Sequence, residues 1–329
     1  MEVHLIIIKR KDMSLLEENK TYKPFTYPWA MELTEQHEDL HWTEKELNLS
    51  DDVTQWKDGT LSDTEKNHIT QILRLFTQSD VVVAGNYSEL YIPKFLNNEI
   101  RSMLLSFAAR EGIHQRAYAL LNDTLGLHES EYSAFLEYNA MVNKVDFMKD
   151  ADVHTLHGLA KSIALSVFNE GVSLFSAFIM LLNYQRFGKM KGMNTVVEWS
   201  IRDETMHVEG MSKLFREFCN EHPRLVNDEF KKEIYEMART IVKLEDKVID
   251  LAYKAGSVDG LEKSEVKTYI RYLADRRLIQ MGLKGNFKVK ENPLPWIEEL
   301  TSGDSMSNFF EKTVTDYSKS GMIGEWGWG

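Results

Sequence analysis

Two copies of one short pattern, Glu111-x-x-His114 and Glu204-x-x-His207, carry side chains that bind metal ions. On a helix, positions i and i+3 share a face and lie about 4.5 Å apart along the axis, so one Glu and one His can serve a single site. Each copy follows a lone carboxylate within an apolar stretch: Asp80 precedes Glu111 by 31 positions and Glu170 precedes Glu204 by 34. Asp80, Glu111, Glu170 and Glu204 would bring four negative charges into an apolar core, where an isolated carboxylate is very costly. Two divalent cations would neutralise all four charges, whereas one would leave half of them unmatched. Helical bundles build dinuclear carboxylate sites from this set of residues. Mixed carboxylate and imidazole ligands suit iron or manganese, whereas a structural zinc site tends to recruit thiolates.

These side chains need helices to aim them inward, and the sequence supplies the pattern. Ser62-Asp63-Thr64-Glu65 reads as a capping box opening a helix with the inner face Ile69, Leu73, Phe76, Asp80, Val83. A second helix presents Ile100, Leu104, Phe107, Glu111, His114, Tyr118 and Leu121 on one side. The third is the almost continuously apolar stretch 162–182, with Glu170 inside it. The fourth starts near Asn194 and aligns Val197, Ser200, Glu204, His207, Met211 and Leu214. Further periodicity around 230–254 and 262–282 predicts more helices, and Pro293 and Pro295 then break the pattern. The two halves of the core form a weak repeat of a carboxylate helix followed by a Glu-x-x-His helix. The expected fold is all-α. It divides into an aromatic-rich extension and arm at 1–60, a metal-binding helical core at 61–290 and a tail at 291–329.

Composition narrows the function classes. A formal net charge of −12 argues against a nucleic-acid surface, which needs clustered Lys and Arg. The single cysteine, Cys219, excludes an intrachain disulfide framework and fits a reducing, cytoplasmic setting. The stretch 162–182 is long enough for a bilayer crossing, but Asn169 and Glu170 sit at its centre, where lipid penalises charge. A core helix with a buried ligand explains the same residues, and no membrane association is expected. Leu5–Ile8 precedes its positive charges, the reverse of a secretory signal, and Met13 is a plausible alternative start. His41, His68, His154 and His157 lack the setting of the paired motifs and read as surface or ordinary core residues.

From Trp42 to its end the chain resembles the small, radical-generating subunit of class I ribonucleotide reductase. The motifs that carry the resemblance are Glu111-Gly-Ile-His114-Gln-Arg-Ala-Tyr118, Ser200-Ile-Arg-Asp-Glu204-Thr-Met-His207-Val-Glu-Gly, Asn292-Pro-Leu-Pro-Trp296 and Asn308-Phe-Phe-Glu-Lys-Thr-Val-Thr-Asp-Tyr317. The resemblance implies a ferritin-like helical bundle, a homodimer, and a dinuclear metal site held by Asp80, Glu111, His114, Glu170, Glu204 and His207. It also implies that Tyr118, one turn beyond His114, is oxidised by the oxygen-activated metal pair and kept as a stable radical. Such a radical needs a dry pocket. Phe178 is a candidate wall, and Ser200 stands where relatives often carry an apolar residue. The presence of Tyr118 favours two iron ions, with dimanganese or manganese–iron as alternatives.

By the same resemblance, Trp42, Asp203 and His114 near the metals and Tyr317 in a flexible tail relay an electron from the large subunit. The apolar end of that tail, Met322, Ile323, Trp326 and Trp328, would tether the partner. A flavoprotein or ferredoxin reductant is a further implied partner. An iron store, a hydroxylase or a non-catalytic helical scaffold would share the bundle, but none needs Tyr118 together with an aromatic tail.

Overall fold

The computed structural model describes residues 14–301. Tyr317, Met322, Ile323, Trp326 and Trp328, and with them the part of the expected partner-binding tail beyond residue 301, lie outside the described residues. In chain order the α-helices are α1 (Pro28–Asp39), α2 (Ser50–Lys57), α3 (Asp63–Gly85), α4 (Asn98–Leu125), α5 (Asn139–Met148), α6 (Leu156–Phe168), α7 (Phe175–Leu182), α8 (Lys191–Glu221), α9 (Asp228–Ala252), α10 (Lys263–Gln280) and α11 (Trp296–Thr301). The described residues contain no strand beyond an isolated bridge between Val258 and Leu261.

Local chemistry sets the starts of the helices that matter. The Ser62 hydroxyl accepts from the Glu65 amide and the Glu65 carboxylate accepts from the Ser62 amide, which closes the capping box at the head of α3. A cap of this kind contributes about 1 kcal/mol. Asn97 caps α4, and Gly126 ends it in the left-handed region at φ 74°. The start of α8 is capped from a distance. Asp52, on α2, accepts from the amides of Gly192 and Met193 at 2.8 Å each. A side chain at position 192 would collide with the Asn48 carbonyl, so glycine permits this approach.

The apolar faces pack as the periodicity predicts. Ile69, Leu73, Phe76 and Val83 of α3 and Ile100, Leu104, Phe107 and Leu121 of α4 are buried, and α3 lies along α4. On the other side α8 packs on α6 and α7, while α9 and α10 close the bundle. Two features depart from the sequence expectations. The stretch 162–182 is not one regular helix: a π-helical turn, Asn169–Ser173, separates α6 from α7. The fourth helix begins at Lys191, a turn earlier than periodicity suggests, because Asp52 supplies the cap. The segment Leu156–Phe187 is apolar and long enough to cross a membrane, yet 94% of its most apolar window is buried within the protein, as a core helix requires.

The residues before α3 do more than wrap the core. Helix α1 packs along α4 and α8. Its C-terminal end delivers His37, and the following turn delivers Trp42, both buried beside the central carboxylates.

Candidate metal centre

Four helical segments converge on one point, and the three regular helices contribute from the faces their periodicity predicts. Asp80 comes from α3, Glu111 and His114 from α4, Glu170 from the π-turn between α6 and α7, and Glu204 and His207 from α8; all six are buried. Their ligand atoms form two overlapping groups, each within 4.8 Å: Asp80, Glu111 and His114, and then Glu111, Glu170, Glu204 and His207. Glu111 is common to both. A carboxylate shared in this way can bridge two cations.

The imidazoles turn Nδ1 towards this centre. His114 Nδ1 lies 3.3 Å from Glu204 and 3.6 Å from Glu111. His207 Nδ1 lies 3.0 Å from Glu170, 3.1 Å from Glu111 and 3.4 Å from Glu204. Charge dominates their titration. Burial pulls both histidines down, but the surrounding carboxylates outweigh it and raise them well above the usual imidazole range. Burial, reinforced by Glu111, raises Asp80 well above the usual carboxylate range. Burial likewise pushes Glu170 up to about 7 against the pull of His207, whereas for Glu111 the two imidazoles win and its carboxyl falls to about 2.

The oxygens themselves provide a test of fit. Both carboxylate oxygens of Asp80, Glu111 and Glu204 are buried and accept no hydrogen bond. A buried anionic oxygen left without a donor costs more than about 1–3 kcal/mol. Oxygen ligands aimed at a common centre, together with two imidazole nitrogens, fit divalent iron or manganese.

Around this centre the two sides differ. On the His114 side, Nε2 is 3.2 Å from Asp203. Asp203 also accepts from Trp42 Nε1 at 2.7 Å and from Arg110 at 2.6 Å. These donors and His114 hold the Asp203 carboxyl far below its ordinary range despite burial. The Trp42 ring stacks on His114 at a centroid distance of 5.9 Å and meets Trp199 at 5.0 Å. Trp42, Asp203 and His114 therefore form one connected set. On the other side Glu170 accepts from the Tyr87 hydroxyl at 2.8 and 3.0 Å and from Ser166. His207 Nε2 is 3.1 Å from His37 Nε2.

Tyr118 is fully buried and donates its hydroxyl to Ser200 Oγ at 3.2 Å. Phe76 packs directly on its ring at 4.2 Å and Phe178 backs Phe76 at 5.1 Å, so Phe178 lines the pocket through an intermediary. Burial and the nearby Asp80 charge hold the phenol well above its usual range, which keeps it neutral.

Spacing alone does not single out His37, Tyr87 or Arg110. A signal exists for two of them. Tyr87 stands seven residues after Asp80 on the same helical stripe, and His37 completes a buried stripe with Ala30, Leu33 and Thr34. Tyr87 also lies in a second π-helical segment, Asn86–Tyr91. Such turns are frequent at functional sites because they re-aim a side chain within a helix.

A bundle whose core gathers four carboxylates and two imidazoles defines a class, the ferritin-like helical proteins able to hold a pair of metal ions. Residues 19–293 match the family model described as ribonucleotide reductase, small chain, and the chain belongs to that family. It is 43% identical over 338 residues to a protein of Invertebrate iridescent virus 3 named "Probable ribonucleoside-diphosphate reductase small subunit 048L", covering 96% of this chain and 89% of that one. It is 30% identical over 314 residues to the ribonucleoside-diphosphate reductase subunit beta of Chlamydia pneumoniae, covering 91% and 90%. Among solved structures, the ribonucleotide reductase R2 subunit of Clostridium botulinum shares the fold with a TM-score of 0.77 at 24% identity, covering 84% of this chain and 88% of that one. The dimanganese(II)-NrdF of Streptococcus sanguinis does so with a TM-score of 0.74 at 20% identity, covering 84% and 96%.

Proposed function

We propose that this chain is the radical-generating subunit of a ribonucleoside-diphosphate reductase, with Asp80, Glu111, His114, Glu170, Glu204 and His207 holding two metal ions. The observation that carries the reading is the set of unpartnered carboxylate oxygens at the shared centre, with the buried phenol of Tyr118 one turn beyond His114 on the same helix. When bound, the metal pair supplies the oxidising power drawn from dioxygen. The protein's own part is to position, insulate and connect. Tyr118 yields one electron and its phenolic proton to become the stored radical. Phe76 and the buried apolar walls exclude water and reductants from the ring, and Ser200 is its neutral hydrogen-bond partner.

Trp42, Asp203 and His114 then form the inner end of an electron relay. Asp203 accepts from both the indole and the imidazole, so an electron arriving at Trp42 has a hydrogen-bonded route to the metal ligand. Arg110 holds that carboxylate in place. Tyr317 would continue the relay and the tail 291–329 would hold the large subunit, where ribonucleoside diphosphates are reduced for DNA precursor synthesis. The core 61–290 carries the metals, and the arm within 1–60 completes their surroundings. We read the native pair as iron, because Tyr118 is the residue an iron pair oxidises in this family. Dimanganese, as named for the Streptococcus relative, and manganese–iron are the alternatives. The working assembly is a cytoplasmic homodimer with its large subunit, served by a flavoprotein or ferredoxin reductant.

The test is a paramagnetic-resonance spectrum recorded after ferrous iron and oxygen are added to metal-free protein. A sharp tyrosyl signal is expected, and nucleotide reduction should appear on addition of the large subunit. Slow accumulation of ferric mineral without a radical would indicate storage, and absence of metal uptake would indicate a scaffold.

A further inference from the structure

The two imidazoles of the centre have unlike outer partners. His114 Nε2 faces the carboxylate of Asp203, whereas His207 Nε2 faces another imidazole nitrogen, His37 Nε2, at 3.1 Å. Of two ring nitrogens in hydrogen-bond contact, one must carry the proton and the other must present a lone pair. His207 directs Nδ1 at the carboxylate centre, so Nδ1 is the atom that must be deprotonated to bind a metal. The proton of His207 then sits on Nε2 and is donated to His37 Nε2. This leaves the His37 proton on Nδ1, which lies 2.7 Å from Ser106 Oγ and donates to it. With Nδ1 of His207 given over to a metal, the chain His207 to His37 to Ser106 carries no ionised side chain.

His37 is not loosely placed. It is fully buried, its ring meets Phe107 edge-on at 5.2 Å, and its carbonyl accepts from Arg110 at 2.9 Å. Arg110 also holds Asp203, so one guanidinium fixes the outer partners of both imidazoles.

We infer that His37 is a positioning residue that selects the metal-binding tautomer of His207 through a neutral hydrogen-bond relay, and that the metal position served by His207 is consequently held less tightly than the one served by His114. This rests on the dimetal reading above. An imidazole that donates to a carboxylate becomes a more basic ligand than one that donates to a neutral acceptor, and outer partners of this kind tune metal affinity by about 10–100-fold.

Manganese(II) titration of metal-free protein, followed by paramagnetic resonance, tests the inference without any turnover. The parent should bind two ions per chain with distinguishable affinities. H37L removes the acceptor and should weaken the looser ion by about 10–100-fold while leaving the tighter one unchanged. H37Q places a carbonyl oxygen in the same region and should recover most of the loss. S106A, which removes only the end of the relay, should give a smaller weakening at the same position and serves if H37L does not fold. Melting of each metal-free variant separates packing from ligand effects. Two ions bound by H37L as in the parent, or equal weakening of both ions in H37L and H37Q, would overturn the inference. A parent that binds no manganese would instead overturn the dimetal reading on which it rests.

Discussion

The His114 side of the centre and the His207 side use the same i, i+3 motif and are built differently around it. On the first, the imidazole leans on a charged set, Asp203 clamped by Arg110 and Trp42, and the radical-forming candidate Tyr118 stands one turn away on the same regular helix. On the second, the imidazole leans on neutral His37, and its neighbouring carboxylate Glu170 sits in a π-helical turn and accepts from Tyr87 and Ser166. That turn is braced from outside. Arg277 donates to the Gly171 carbonyl at 3.0 Å, and Lys144 donates to the Ser173 carbonyl at 2.8 Å while pairing with buried Glu245. A side chain at position 171 would strike Arg277, so the brace needs glycine there. One side is thus a charged, hydrogen-bonded set around Asp203, and the other is a re-aimed carboxylate beside a neutral imidazole. A duplicated motif need not give duplicated chemistry.

The bluntest way to break the comparison is to remove a ligand. Glu111 belongs to both groups of ligand atoms, and Glu170 to the His207 group alone. Glu111→Ala should abolish stable binding of both metals and the radical, whereas Glu170→Ala should spare the ion nearer His114. Metal stoichiometry after gel filtration checks this, and retention of both ions in Glu111→Ala would contradict the bridging role.

Next in size is the loss of the radical alone. Tyr118→Phe removes one hydroxyl and its bond to Ser200, at a stability cost of about 1 kcal/mol. Metal uptake should persist and the tyrosyl resonance should vanish. A tyrosyl signal surviving in this variant would place the radical elsewhere.

The charged set around Asp203 should be the more fragile side when cut. Asp203→Ala leaves Arg110 buried without its carboxylate, which costs about 3–5 kcal/mol in comparable buried pairs. On the other side His37 is itself neutral, and without it His207 keeps the carboxylates at Nδ1 as its counter-charges. Denaturant melts of metal-free Asp203→Ala and His37→Leu should rank in that order, and the reverse ranking would show that the neutral relay carries the greater structural load.

The smallest effect is a dependence on pH. Glu170 has its carboxyl raised to about 7 by burial, above its unfolded value near 4.5. A proton on it favours the folded, metal-free protein, so this contribution is present below pH ~4.5 and is lost as pH rises through ~7. Metal binding must displace the same proton, so manganese affinity should run the opposite way and weaken as pH falls below ~7. Each displaced proton contributes about 1.4 kcal/mol per pH unit, and the raised imidazoles add to the slope. Parallel melts and titrations between pH 5.5 and 8 (a range of about 2.5 units) would reveal the opposing trends. Flat curves for both would remove Glu170 from the proton balance.

Most of the inner site is legible in the sequence. The i, i+3 spacing is a property of one helix, and so is the stripe that places Asp80 with Ile69, Leu73 and Phe76, or Tyr118 with Glu111 and His114. Capping chemistry at Ser62 is equally local. These features need only the pitch of a helix and the cost of burying charge, and they suffice to gather six candidate ligands in an all-α bundle; the family followed from the resemblance of whole motifs. The tertiary structure alone decides what stands behind each ligand. His37 meets His207 across 170 positions, Trp42 meets Asp203 across 161, and Arg110 meets Asp203 across 93. The π-turn that aims Glu170 is also invisible to periodicity, because an apolar run reads alike whether its backbone bonds reach four or five residues back. Helical pitch fixes which residues share a face. How far each helix is rotated and shifted against its neighbours follows from packing across the whole core, and that rotation gave His114 a charged partner and His207 a neutral one.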